Sequence, residues 1–417
     1  MFFKKLLSLV FIFSLFSFNV FAYGDSIFVW NNNLETLETN SNISAKLDSN
    51  NLQLESESGI LIEQHSGQIL FEHNSHEKLR PASVTKVMSI LLIMEAIDSG
   101  TLSYTDKIPC TEAAAAMGGS QIWLDVREEL TVDEMLKAIC VVSANDCTVA
   151  MAEYLCGSQE AFVEKMNTKA QELGMKDTSF KNCHGLDEDG HLTSAYDIAL
   201  MSRELLNKHP SITKYTTIWM DTLRDGKSQL VNTNKLIRNY RGMTGLKTGS
   251  TSLALYNLSA SATRAGLSLI AVIMKGPTGA IRFSEAQKLL DYGFSNYQYK
   301  ELAGKYECLK NVTVQKGTED NLNILFDEDA GVIIKKGENK NIEQIISVPD
   351  TLIAPITKGQ KVGEVSYCLD GERITTINII AEKEIKKISL INFSSKLYKS
   401  WFCLCLLYTS PSPRDCS

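Results

Sequence analysis

Arg80-Pro81-Ala82-Ser83-Val84-Thr85-Lys86 is the stretch around which this chain organises itself. Pro81 suits the opening of a helix, and a helix there would put Ser83 and Lys86 one turn apart on a shared face. Ser83 would also lie in the positive field of the helix N-terminus. A serine hydroxyl is a poor nucleophile until a base takes its proton. Lysine is such a base only when burial or a neighbouring cation lowers its pKa. Alone, the S-x-x-K pattern is weak, because capping and surface residues produce it by chance.

Outward from this stretch the periodicity is mostly helical as far as about Leu206. Val87, Ile90, Leu91 and Met94 form one apolar stripe, and Met135, Ile139 and Val142 another. Upstream, Gly59–Ile62 and Gln68–Phe71 flank His65-Ser66-Gly67, a hairpin signal. Downstream, Gly249 to Lys275 returns to strand character, and a last helix is expected from Phe283 to Tyr292, ending at Gly293. Strands at both ends with helices between them imply an α+β domain over residues 51–299, an antiparallel sheet flanked by helices.

Two further motifs fall inside that domain. Ser143-Ala144-Asn145 follows the apolar run Ile139-Cys140-Val141-Val142 and offers a hydroxyl to relay a proton and a carboxamide to hold an amide. Alone it reads as a helix cap or a loop. Lys247-Thr248-Gly249 enters a strand after Gly242-Met243-Thr244-Gly245 and supplies a cation, a hydroxyl and a bare backbone against which a ligand can lie. Sixty residues separate Ser83 from Ser143, and 104 separate Ser143 from Lys247. In that order, at a helix start, between helices and on a strand, the three motifs form the signature of serine β-lactamases and penicillin-binding proteins.

The surrounding segments narrow the resemblance. Val142-Ser143-Ala144-Asn145-Asp146, Leu173-Gly174-Met175-Lys176-Asp177-Thr178, Asn182-Cys183-His184-Gly185-Leu186, Lys247-Thr248-Gly249-Ser250-Thr251 and Arg282-Phe283 join the Ser83 stretch. Together they resemble the low-molecular-mass D-alanyl-D-alanine carboxypeptidases, serine peptidase family S11, from about Gly59 to Tyr297. The resemblance implies a β-lactamase/transpeptidase-like fold and catalysis without a cofactor. It makes Ser83 the nucleophile, Lys86 its base and Ser143 the proton relay to departing D-alanine. It assigns Asn145 to the stem-peptide amide and Lys247 to keeping Lys86 neutral. Backbone N–H groups of Ser83 and Ser250 would form the oxyanion hole beside Gly249, and Thr248 and Arg282 would hold the terminal carboxylate. The implied partners are peptidoglycan stem peptides ending in D-Ala-D-Ala, with β-lactam antibiotics as inhibitors.

Rival readings have sequence discriminants. A class A β-lactamase needs a deacylating E-x-x-L-N element between the second and third motifs, and that pattern is absent there. A penicillin or peptidoglycan sensor would acylate without turnover, against which intact Ser143 and Asn145 argue. His184 beside Cys183 reads as a loop, since sequence neighbours rarely face each other. Six scattered histidines suggest no metal site.

The remainder of the 417 residues is organisational. A net charge of −7 gives no electrostatic case for nucleic acid. Residues 1–22, with Lys4 and Lys5 before an apolar run and Val20-Phe21-Ala22 after it, read as a signal peptide, placing the protein at the outer face of the membrane or in the cell wall. Residues 23–50 are an Asn-rich linker. Six short β-rich runs between residues 300 and 384 imply a small all-β sandwich. Residues 385–408, with Leu390, Phe393, Leu397 and Trp401 on one helical face and lysines around them, read as a basic amphipathic tail for a membrane surface. Residues 409–417 have no structural logic and read as a non-native end. Most of the cysteines read as small buried hydrophobes rather than disulfides, with Cys140 and Cys147 two turns apart on one helical face.

Overall fold

The strand-like runs that bracket the helical middle of the sequence meet in one sheet. The computed structural model describes residues 52–338 and 341–389, with 392, 394 and 398. β1 (Ser58–Glu63) and β2 (Ile69–His73) form the hairpin around His65-Ser66-Gly67. β3 (Lys107–Pro109) and β4 (Glu129–Thr131) make one small ribbon, and β5 (Met220–Leu223) and β6 (Ser228–Val231) another. β7 (Met243–Thr251), β8 (Leu255–Arg264) and β9 (Leu267–Gly276) complete a five-stranded sheet in the order β2-β1-β9-β8-β7. All its pairings are antiparallel, and β7 lies at one edge.

Why β1 and β9 read as continuous apolar runs follows from the layering. Side chains alternate between sheet faces, so an alternating sequence buries one face and a continuous one buries both. Ile60, Ile62, Ile270, Val272 and Met274 point into the larger core. That core is filled by α1 (Lys86–Asp98), α2 (Glu112–Ala115), α3 (Val132–Val141), α4 (Asn145–Cys156), α5 (Gln159–Glu172), α6 (Ala195–Lys208) and α7 (Thr213–Thr216). Leu61, Leu269, Ala271 and Ile273 point the other way, against α8 (Leu236–Asn239) and α9 (Gly279–Asn296).

The structure departs from expectation at three places here. The helix expected to open at Pro81 starts there as a 3-10 helix, Ala82–Thr85, and becomes α-helical only at Lys86, where α1 begins. Cys140 and Cys147 do not share a helix, because the chain breaks at Ser143, whose φ is +67°, and they fall on α3 and α4. The last helix runs past Gly293 to Asn296, capped at its start by the Thr278 hydroxyl. Gly293 is a packing residue, since a Cβ there would stand 2.4 Å from Leu269 Cδ1 and 3.1 Å from Leu61 Cδ2. Every described cysteine carries a free thiol.

The six β-rich runs all become strands of an all-β C-terminal region. β10 (Tyr297–Ala303) pairs with β13 (Ala330–Lys335). A six-stranded sheet is formed by β11 (Cys308–Gln315), β12 (Asn321–Phe326), β14 (Ile342–Ser347), β15 (Thr351–Ile353), β16 (Lys361–Leu369) and β17 (Glu372–Ala381). The 299/300 boundary lies inside β10. The expected tail also begins within the fold: Ile385 is fully buried and exchanges two backbone hydrogen bonds with Ile356. The signal, the linker, the non-native end and the apolar residues of the amphipathic stripe lie outside the described residues. Among the described residues no helix is long and apolar enough to cross a membrane.

Candidate active site

Local geometry at Ser83 is set by a tight turn wedged between two glycines. A Cβ at Gly249 would sit 2.9 Å from Ser83 N and 2.8 Å from Pro81 O. A Cβ at Gly185 would sit 1.9 Å from Ala82 O. Glycine at both places lets edge strand β7 and the 182–186 loop close on the turn from two sides. Ala82 holds a left-handed φ of +48° within this clamp.

Lys86 is completely buried, with three partners around its Nζ. It stands 3.0 Å from Ser83 Oγ, 2.6 Å from Asn145 Oδ1 and 2.6 Å from the His184 carbonyl oxygen. The last two atoms can only accept. A neutral amine has two N–H bonds and one lone pair, so donating to both acceptors aims the lone pair at the Ser83 hydroxyl. Burial pushes the Lys86 pKa well below the ordinary lysine value, and the Lys247 cation pushes it further the same way. Lys247 is itself buried, donates to the Thr248 carbonyl at 3.0 Å and has its pKa lowered to about 7. Burial is the main cause; buried Cys140 opposes it and Arg282 adds to it.

The second motif lies between two helices. Ser143 sits in the break between α3 and α4, its Oγ buried and without a hydrogen-bond partner among the described residues. Asn145 opens α4 and is committed at both ends, accepting from Lys86 and donating from Nδ2 to the Gly118 carbonyl at 2.7 Å. Here the amide first orients the base and fixes the 118–124 loop. Asp146 supports the same loop by accepting from the backbone N–H groups of Ile122 and Leu124.

On β7, Lys247 and Gly249 share the face that meets the Ser83 turn. Thr248 Oγ1 lies 2.7 Å from Thr233 Oγ1, and Ser250 is exposed opposite Tyr256. Arg282 reaches from α9 behind this strand rather than lying free on the surface. Its Nη1 donates to the carbonyls of Gly249 and Asn257, its Nε is buried without a hydrogen-bond partner among the described residues, and the ring of Tyr256 lies 5.5 Å away. Ser83, Lys86, Asn145, Lys247 and Gly249 are therefore brought together, with Thr248 and Ser250 on the same strand.

Sequence reasoning missed several supports. The His184 carbonyl completes the Lys86 cage, Thr233 pairs with Thr248, and Asn257 ties β8 to the turn by donating to the Arg80 carbonyl at 2.8 Å. Backbone acceptors leave no residue-type signal. Asn257, an Asn in an apolar strand, did carry one. His184 itself is a loop residue, its burial and the Lys86 charge pushing its imidazole pKa down to about 3.

The family model described as D-alanyl-D-alanine carboxypeptidase matches residues 44–278, and that of the penicillin-binding protein 5 C-terminal domain matches 297–387. The D-alanyl-D-alanine carboxypeptidase DacF of Bacillus subtilis is 45% identical over 351 residues, 83% of this chain and 90% of its own. DacA of Escherichia coli is 33% identical over 84% of this chain and 89% of its own. The solved penicillin-binding protein 5 of Haemophilus influenzae superposes with a TM-score of 0.65 at 31% identity, covering 80% of this chain and 98% of that one. Penicillin-binding protein D2 of Listeria monocytogenes, solved in an ampicillin-bound form, gives a TM-score of 0.54 at 29% identity over 58% of this chain and 99% of that one. The three motifs, the clamped serine and the two-part chain thus have one explanation: this protein belongs to the D-alanyl-D-alanine carboxypeptidase family of serine peptidases.

Proposed function

We propose that Ser83 removes the terminal D-alanine from peptidoglycan stem peptides through an acyl-enzyme, and that β-lactams acylate the same hydroxyl. The observation that carries this reading is the Lys86 cage, in which two pure acceptors take the amine hydrogens and leave the lone pair to Ser83 Oγ. Neutral Lys86 takes the hydroxyl proton as Oγ attacks the penultimate D-alanine carbonyl. The peptide C–N bond breaks, and the proton passes through Ser143 to the departing amine. Water then cleaves the ester and regenerates the serine.

The oxyanion would be held by the backbone N–H groups of Ser83 and Ser250, a term typically worth a few kcal/mol per donor. The stem-peptide backbone would lie along the free edge of β7, with Asn145 taking its amide. That role requires Asn145 to exchange its Gly118 contact for substrate. Thr248 takes the terminal carboxylate, and Arg282 acts with it through charge and through the Gly249 carbonyl it holds. The proposed domain assignment is a catalytic part ending with α9, a β domain from β10 to about residue 388, and a basic tail beyond it for the outer membrane surface. Export by the N-terminal signal belongs to the same reading.

The test uses the purified protein with diacetyl-Lys-D-Ala-D-Ala and, separately, a fluorescent penicillin. D-alanine release and labelling that both vanish in Ser83→Ala support the carboxypeptidase. Labelling without release indicates a sensor, and rapid penicillin turnover without release a β-lactamase.

A further inference from the structure

The peptide unit between Ala82 and Ser83 has two ends with different jobs. Its N–H is the proposed oxyanion donor on Ser83. Its carbonyl oxygen points back into the protein and accepts from Thr85 Oγ1 at 2.8 Å. A chain of hydrogen bonds reaches this carbonyl from outside the three motifs. The Lys181 backbone N–H donates to His191 Nδ1 at 2.9 Å. That fixes the tautomer: Nδ1 accepts, so the ring hydrogen is on Nε2. Nε2 lies 2.8 Å from Thr85 Oγ1, and the Thr85 hydroxyl, having accepted there, donates onward to Ala82 O. Every link has one donor and one acceptor, and both side chains are buried.

We infer that His191 and Thr85 are positioning residues for acylation, fixing the plane of the Ala82–Ser83 peptide so that its N–H meets the developing oxyanion. Three observations bear on this. Ala82 holds a φ of +48°, unfavourable for a residue with a Cβ, so the turn keeps this shape only if its surroundings impose it. The two glycine contacts wedge the turn sterically, Gly185 lying directly against the Ala82 carbonyl, and the Thr85 hydroxyl adds the side-chain hydrogen bond that holds the carbonyl's direction. A hydrogen bond accepted by a peptide oxygen also polarises the N–H of the same unit, strengthening it as a donor. The imidazole remains neutral at working pH, its pKa lowered to about 4 by burial, chiefly, and by Arg80. The charge on the chain therefore does not vary while the enzyme works.

The inference rests on Ser83 being the acylated residue, and the experiment separates the two. Acylation by a fluorescent penicillin is followed by stopped flow in the full-length protein, resolving the noncovalent binding step from the bond-forming rate. Ser83→Ala first establishes the nucleophile; labelling that survives it overturns both readings. Asn places its oxygen near Nδ1, and Gln places a polar atom near Nε2. His191→Asn should therefore keep the Lys181 contact, and with it the melting temperature, while slowing acylation about tenfold or more, some fraction of a lost oxyanion donor. His191→Gln keeps the Thr85 contact and should acylate near the parental rate even if it melts lower. Thr85→Val should match His191→Asn, Thr85→Ser should restore the rate, and the Asn/Val double variant should be no slower than either single. Parental acylation rates in both His191→Asn and Thr85→Val, or losses that follow melting temperature across the set, would overturn the inference.

Discussion

The catalytic part and the C-terminal β domain bury different things. Around the site the catalytic part buries Lys86, Lys247, Ser143, Asn145, Asp146, His184, His191 and Arg282. From Tyr297 onward, among the described residues, the only buried polar side chain outside the apolar and aromatic set is Ser366. The β domain is an ordinary hydrophobic core around Val312, Ile324, Val365, Ile377 and Ile379. Buried polar groups cost free energy unless each finds a partner. The catalytic part carries that cost where polar atoms have no hydrogen-bond partner among the described residues, as at Ser143 Oγ and Arg282 Nε. On the proposed function such residues serve chemistry rather than stability, so substitutions in the two regions should separate activity from stability in opposite senses.

The largest expected effect is at the nucleophile pair. Ser83→Ala should abolish labelling and D-alanine release, and Lys86→Met should reduce both by at least about 10³-fold, the range of a general base plus its electrostatic support. Retention of rapid acylation in Lys86→Met would remove the base from the mechanism.

Lys247 sharpens the comparison most directly. Holding it near pKa 7 instead of 10.5 costs on the order of 5 kcal/mol of folding stability at neutral pH. Lys247→Met should therefore lose most activity yet raise the melting temperature by several degrees. The unfolded chain keeps this proton up to about pH 10.5 and the folded chain loses it above about 7, so parental stability gains a component that rises with pH across that window. The variant should lack that component. A lowered melting temperature, with an unchanged pH slope, would break the proposed trade.

The pH profile of acylation should show an acid limb. Lys86 must be neutral to act, and its folded pKa lies below the ordinary lysine value, so the rate rises as pH passes upward through that lowered pKa and then levels. A flat rate from about pH 5 to 9 would count against the base.

At Arg282, removal of the guanidinium also frees the Gly249 carbonyl, so Arg282→Ala should slow both reactions. The loss should be larger for peptide, by about tenfold, because its flexible terminal carboxylate must be oriented by the guanidinium whereas the fused penicillin rings hold theirs in place. Equal losses would leave Arg282 with the strand alone.

The smallest effect on chemistry belongs to the other region. Ile379→Ala empties a fully buried position and should cost about 2–5 kcal/mol of stability. Acylation rate per folded molecule should not change. A slowed rate would show that the β domain tunes the site.

The motifs were legible because the proposed chemistry needs particular side chains at particular spacings, and it gives Ser83, Lys86, Ser143, Asn145 and Lys247 a role each. The layering was legible too, since β1 and β9 are apolar at successive positions only because both sheet faces are covered. The sequence by itself determined the three motifs, the helical middle and the strands of the β domain. Tertiary structure alone decided that α9 continues through Gly293, since that depends on how close Leu269 and Leu61 stand. It alone gave Lys86 its acceptors, because the His184 carbonyl belongs to a backbone that every residue shares. It alone placed Arg282 behind β7 and linked His191 to Ala82 through Thr85. Sequence patterns record which side of an element is buried and which side chains a reaction requires; which atoms stand within 3 Å of one another is fixed only when the elements pack.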